Sequence, residues 1–299
     1  MLGGVAEEVG EELTEQWGAI LAPAILFWST GFAAWGLAHG WGVLDTVSDW
    51  KAGKQIALGL GLAIAVFGSA ALIWAVEFRV LRLLEGHWPW WGAGITKRRR
   101  ESHGARSKEL QHQFSAGNDP ESGVRWATLR RYPEKPEDHM PTRLGNILRA
   151  AELWPHDKYG LDAVVCWPRL WLVLPGEARS DLESARASLD LGVRLLIWSA
   201  LLVAWTPLWP WFPVAAAAGV WLSYRWAVSA AMVYGDLIES AFDMYRWRLY
   251  EALRIEMPAT TAEEPASGRR LTDYLNGVDG AAGKIKFSQS DRHSRSESS

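Results

Sequence analysis

Long apolar runs free of charge alternate with polar blocks along this chain, and their lengths set the first expectation. No Asp, Glu, Lys or Arg interrupts the sequence between Glu15 and Asp45, or between Lys54 and Glu77. From Leu189 to Gly235 the only charges are Asp190, Arg194 and Arg225. A bilayer core takes roughly 20 apolar residues per spanning helix, so the first two runs predict one span each, 17–39 and 56–76. The third run predicts two, 189–206 and 211–234, folded at Pro207, Pro210 and Pro213. The expected fold is all-α: an integral membrane protein with four transmembrane helices in two hairpins and a cytoplasmic helical layer.

The polar blocks divide in turn. Residues 101–140 are rich in charge, Pro and Gly and are expected to be mobile, apart from a helix over 121–131. Order is expected again over 141–188. There Leu144, Ile147, Leu148 and Ala151 fall at i, i+3, i+4 and i+7, one face of an amphipathic helix. Residues 161–174 are strongly apolar but too few to span a bilayer as a helix, which predicts an interfacial or packed segment. Residues 177–189 read as a helix entering the third span. Ile238, Phe242, Tyr245, Leu249 and Ala252 carry a helical stripe beyond the fourth span to about 257. The resulting division is an N-terminus over 1–16, a first hairpin over 17–84 and a cytoplasmic block over 85–188. A second hairpin follows over 189–235, then an extension of span four over 236–257 and a disordered tail over 258–299.

Charge orients this arrangement. The first sixteen residues carry five Glu and no Lys or Arg, whereas Arg79, Arg82 and the run from Lys97 to Arg100 closely follow the second span. Positive residues stay cytoplasmic, so the central block and both termini are expected inside. The N-terminus lacks the basic start of a secretory signal and the first span is too long for a signal core, so an anchor is expected. Twenty Trp residues, many near span ends, suit the headgroup level, where an indole is half apolar and half hydrogen-bonding. Cys166 is the only cysteine, which excludes an internal disulfide and a cysteine zinc cluster. Arg outnumbers Lys by 23 to 8, a hint of a GC-rich bacterial genome.

The block from Met140 to Glu152 (MPTRLGNILRAAE), with that from Tyr159 to Trp171 (YGLDAVVCWPRLW), resembles a family of uncharacterised multi-span membrane proteins of actinobacteria and related bacteria. The likeness covers about thirty residues strongly and the layout of the spans loosely. It implies a bacterial plasma-membrane location and no particular activity.

Candidate chemistry is sparse. Arg225 falls about 20 Å into span four at 1.5 Å per residue, where charge is costly and marks a functional site by default; a snorkelling side chain is the plainer account. Arg194 near the start of span three is placed to snorkel. Asp236, Glu239 and Asp243 recur at helical spacing below span four, as a cation vestibule, a partner surface or simply a solvated face. Lys97 to Arg100 suits acidic lipid as well as it suits a topology signal. Arg143, Arg149 and Glu152 are expected to face solvent as a partner surface while the rest of their block docks on the ends of spans two and four. His156 and Asp157 lack a nearby nucleophile, and His103 and His112 lack a third metal ligand. Residues 280–284 (GAAGK) lack the spacing of a phosphate loop. No cofactor, metal or nucleic-acid partner is implied. Small residues recur every four positions in span two (Ala57, Gly61, Ala65, Ser69) and in span four (Ala215 to Gly235), a pattern for close packing within the chain or between copies. The expected span interiors hold no Asp or Glu, which argues against proton-coupled transport.

These features lead to a non-enzymatic, membrane-anchored scaffold or sensor with a cytoplasmic partner-binding layer. The alternative is a homo-oligomeric channel with Arg225 near the conduction path. The third possibility is a membrane-bound enzyme acting on lipid.

Overall fold

A computed structural model describes residues 2–116, 122–278 and 285–287. Among them the protein is all-helical, with no strand beyond a single antiparallel bridge between Ile255 and Phe287. The α-helices are α1 (Leu2–His39), α2 (Gly42–Ser48), α3 (Ala52–Glu85), α4 (Ala93–Ala116), α5 (Ser122–Leu129), α6 (Arg143–Tyr159), α7 (Ala163–Val173), α8 (Gly176–Leu201), α9 (Phe212–Ala252) and α10 (Glu264–Leu275). The chain forms two compact units, Met1–Leu84 with Ala187–Ala230, and Glu85–Arg186 with Ala231–Ser299.

The first unit carries the membrane character. Three helical stretches are long and apolar enough to cross a bilayer: Ile20–His39, Ala52–Glu85 and Gly176–Trp205. In α3, Ile56, Leu60, Leu62, Ile64, Leu72 and Phe78 are all exposed. A water-soluble monomer rarely shows a continuous apolar face of that size, and lipid is its natural solvent. The first part of α9 is less apolar, because Arg225, Tyr224, Trp221 and Trp226 interrupt its Ala- and Val-rich run.

Packing inside this unit runs through small residues and aromatic rings. Trp28 donates to Ser69 Oγ at 3.1 Å, joining α1 to α3. Phe27, Trp28, Trp198 and Trp205 form a ring cluster with centroids 5.0–5.9 Å apart. Gly31 is buried beneath Trp205, and any Cβ there would run into its indole. A Cβ at Gly192 would come within 3.0 Å of the Ala227 backbone, and one at Gly219 within 2.6 Å of Ser199 Oγ. Gly219 and Ala227 of the small stripe of α9 thus pack against α8 within the chain. Gly59, Gly61 and Gly68 on α3 have open space where a Cβ would stand.

The second unit has the denser core. Leu161, Cys166 and Leu170 meet Phe242, Leu249, Tyr250 and Leu271, all at most 1 % exposed. Such burial is worth roughly 1.5–3 kcal/mol per large side chain. Local signals explain the helix ends. Thr142 caps α6 by accepting from the Gly145 N–H at 2.9 Å. Gly160, at φ +71°, closes it in the left-handed region that favours glycine. Asp162 caps α7, accepting from the Val165 N–H at 3.1 Å. α9 ends through Arg254, the one non-glycine residue at positive φ among the described residues.

Two expectations are corrected here. Residues 101–140, expected to be mobile apart from a helix over 121–131, hold most of α4 as well as α5, which lies within that expected helix. α4 is rich in Arg, Lys, Glu, Gln and Ala, all good helix formers, but polar around its whole circumference, so it carries no apolar period to read. Residues 258–299, expected to be disordered, contain α10, whose Leu271 is 1 % exposed and whose Gly268 lies against the Tyr159 carbonyl. α10 packs through small residues, a signal that low apolar content conceals. The rest of that tail, 279–284 and 288–299, falls outside the described residues and includes the GAAGK segment.

Candidate functional site

The sequence-derived candidates divide into paired groups and one isolated charge. Arg225 is exposed, with its guanidinium 5.0 Å from the centroid of the Trp221 ring one turn earlier. A cation over an indole is stabilised by the ring quadrupole, and this arrangement draws Arg225 toward its own helix surface.

Arg194 does not snorkel. Its guanidinium reaches Glu77 on α3 through contacts of 2.9, 3.2 and 3.3 Å, and both side chains are only 10 % exposed. The expectation that the spans lack acidic residues fails for the same reason. The expected second span stopped at Val76, one residue short of Glu77, whereas α3 continues to Glu85. Each charge neutralises the other, so the pair reads as a packing element.

The acidic residues of α9 are engaged in ion pairs within the chain, Glu239 buried and Asp236 and Asp243 part-exposed. Asp236 accepts two hydrogen bonds of 2.7 Å from Arg131. Glu239, 3 % exposed, pairs with Arg130. Burial pushes the Glu239 carboxyl above its usual range, and Arg130 pulls it back only in part. Asp243 gathers Tyr159 Oη at 2.6 Å, Lys158 Nζ at 3.0 Å and Trp154 Nε1 at 3.4 Å. Burial raises its pKa, but these donors outweigh burial and hold it below the ordinary value. Arg246 stacks 4.1 Å above the Tyr159 ring and bonds Glu264 at 2.5 Å, tying α10 to α9.

On α6 the expected partner surface is also partly consumed. Arg143 is exposed, but Arg149 bonds Asp138 at 2.8 Å and Glu152 at 3.0 Å. The 140–146 block itself is structural. Asn146, 1 % exposed, clamps the entry loop through the Met140 N–H and carbonyl and the Thr142 carbonyl, each at 2.8 Å. Gly145 packs on the Glu85 carbonyl, and Pro141 lies against Gly86.

No chemistry emerges from the remaining candidates. Cys166 is fully buried, and burial pushes its thiol up to about 11, so it stays protonated. His156 Nδ1 sits 3.3 Å from Asp157 on the surface. Among the described residues no group of three His, Cys, Asp or Glu side chains is placed to hold a metal.

One cleft has the makings of a site. It opens between the segment after α3, the α4 helix and the loop before α6, with a volume of about 680 Å³. Trp88, Pro89 and Trp90 form its apolar side; Lys97, Arg100 and Lys108 form its charged side, with Glu101 as the one acid. None of these three cations makes an ion pair with a described residue. His139, only 2 % exposed, also lines the cleft, and neither ring nitrogen has a well-formed hydrogen bond among the described residues. Its Nδ1 faces Gly104, where a Cβ would approach within 3.3 Å. Burial is the main reason its pKa falls below the usual histidine value; Lys108 adds to the fall, while the Pro133 carbonyl and Asp138 oppose it. Lys97 and Arg100 lie in the basic run visible in the sequence. His139 gave no signal there, because it sits in a Pro-rich polar stretch with no period.

No protein-family model, curated protein or solved structure matches this chain.

Proposed function

We propose that this chain is a four-span bacterial plasma-membrane protein with both termini inside, acting as a non-enzymatic scaffold or sensor through the layer formed by residues 85–186 and 231–278. The resemblance of the 140–152 and 159–171 blocks to multi-span actinobacterial proteins supports the location. The positive residues after α3 support the orientation. The fourth span is the first part of α9, whose 41 residues give a helix of about 60 Å, twice what a hydrocarbon core requires.

The observation that carries the reading is the disposition of charge in the layer. Acidic groups on α9 are paired with Arg130, Arg131 and Lys158, which fixes the helices against each other. Lys97, Arg100 and Lys108 of α4 have no ion pair among the described residues and stand around an open cleft. A layer held together by internal pairs, with a mainly cationic recess at α4, suits binding of an anion. Recognition therefore moves from α6, where Arg149 and Glu152 are spent, to α4.

Two measurements test this. Single cysteines at Asp49 and Gln113, in a Cys166→Ser background, should label oppositely in intact cells, with position 113 protected from an impermeant reagent. Liposomes carrying the purified protein should show no ion flux, and its mass in nanodiscs should be that of a monomer. A selective conductance lost in Arg225→Ala would establish the channel instead.

A further inference from the structure

We propose that the cleft between Trp88, α4 and His139 binds the phosphate headgroup of an anionic membrane lipid. The inference rests on reading the chain as a membrane protein with α4 beside the inner leaflet.

Three independent observations converge on this ligand. The first is uncompensated charge: Lys97, Arg100 and Lys108 surround one opening without ion-pair partners among the described residues, against the single carboxylate of Glu101. Across α4 as a whole, six Lys and Arg stand against two Glu. Like charges held together by a fold repel unless an anion joins them, and Arg with Lys is the usual pairing for phosphate oxygens. The second is His139. A buried polar group normally has a partner, and this imidazole, 2 % exposed at the edge of the cleft, has none of good geometry. With no well-formed bond among the described residues, its N–H can turn from the nearby Pro133 carbonyl to donate to a phosphate oxygen. The third is the opposite wall. Trp88 and Trp90 follow the end of α3 by three and five residues, so Trp88 lies within about 10 Å of that helix end along the chain. Indoles settle at the headgroup level of a bilayer. An inorganic phosphate has no use for them, whereas the glycerol and first methylenes of a lipid do. The volume, about 680 Å³, falls within the range of small-molecule sites.

The experiment uses the full-length protein in dodecyl maltoside, titrated with dioctanoyl phosphatidylglycerol. Bound lipid is counted by native mass spectrometry, and thermal protection is followed in parallel. The Arg100→Ala/Lys108→Ala variant should bind roughly thirty-fold more weakly, about five-fold per cation. The Arg98→Ala/Arg106→Ala variant loses equal charge from the same helix outside the cleft and should bind nearly as well as the parent. His139→Leu should weaken lipid binding without lowering thermal stability in the absence of lipid, because an unpartnered polar group contributes no bond to the fold. Equal loss in both double variants would show diffuse attraction and overturn the site. Equal binding of dioctanoyl phosphatidylcholine would also overturn it. Protection by inorganic phosphate, sensitive to Arg100→Ala/Lys108→Ala and without lipid retention, would reassign the cleft to a soluble phosphate compound. Labelling of position 113 from outside would refute the orientation, while the titration in detergent would still report on the cleft itself.

Discussion

Removing one member of the Glu77–Arg194 pair should damage the membrane unit far more than removing both. The two side chains are each 10 % exposed and meet through three contacts of 2.9–3.3 Å. Arg194→Met leaves the Glu77 carboxylate buried without its counter-charge, and an uncompensated buried charge costs roughly 3–5 kcal/mol. Glu77→Leu leaves the guanidinium in the same position, with a similar loss. Glu77→Leu/Arg194→Met replaces the pair by apolar groups of comparable length, a change that is often neutral or even favourable. The assay is reversible unfolding of the purified protein in mixed dodecyl maltoside and SDS micelles, read by circular dichroism for the parent, both single variants and the double. The expected interaction energy is several kcal/mol, with the double variant near the parent. Residues in direct contact are where such coupling arises. Additive losses would show that the two charges do not share a dry environment, and a silent Arg194→Met would place the side chain in headgroups after all.

Three further outcomes follow from close approaches and titrating groups. Gly145→Ala puts a methyl onto the Glu85 carbonyl, a backbone atom that cannot swing away, so thermal stability should fall by about 1–3 kcal/mol; an unchanged melting temperature would show that the α3 end and α6 are not so closely packed. Gly219→Leu meets Ser199 and should cost a similar amount, whereas Gly61→Leu, with open space around it, should cost little; the reverse order, measured by the same melting curves, would assign the α9 stripe to lipid. His103 and His139 both have folded-state pKa values below the ordinary 6.5, chiefly from burial, with Arg99 acting on His103 and Lys108 on His139. Groups that bind protons less readily when folded favour the folded state at high pH. The second unit should therefore lose stability as pH falls below about 6.5, and His139→Leu should flatten the pH dependence between pH 7 and pH 5; an unaltered slope would contradict the burial of His139.

What the sequence revealed depended on whether a physical signal was local. Three apolar helices long enough to cross a bilayer could be read because charge-free runs of bilayer length are a property of consecutive residues. The face formed by Leu144, Ile147 and Ala151 could be read because helical spacing is local too, and these residues are 0, 2 and 2 % exposed. Glu77 was hidden by a boundary error of the usual size and by a partner 117 positions away. The pairs from Arg130 and Arg131 to α9 link residues more than a hundred positions apart, so the partners of these acidic residues cannot be read from their helical spacing. α4 and α10 were missed for a different reason. One is polar all round and the other packs through small residues, and neither gives the apolar period by which helices are recognised.

The same long-range pairs bear on where the proposed recognition would fall. Exposed ion pairs contribute only about 0–1 kcal/mol each, so those along α9 are weak as sources of stability; the apolar core around Phe242, Leu249 and Tyr250 supplies that. Their consequence is register. Asp236, Glu239 and Asp243 rise along α9 at spacings of three and four and meet Arg131, Arg130 and Lys158 in turn. A slide of α9 by one turn would exchange these partners and leave a carboxylate at one end of the row and a cation at the other unmatched. With α6 and the residues after α5 fixed in this way, the loop carrying His139 is fixed too, because Arg149 holds Asp138 and Asn146 holds Met140 on either side of it. The imidazole held between two such anchors has no well-formed hydrogen bond among the described residues. On the proposed reading, the acceptor oxygens of a phosphate would supply one from the side of α4, where Lys97, Arg100 and Lys108 stand.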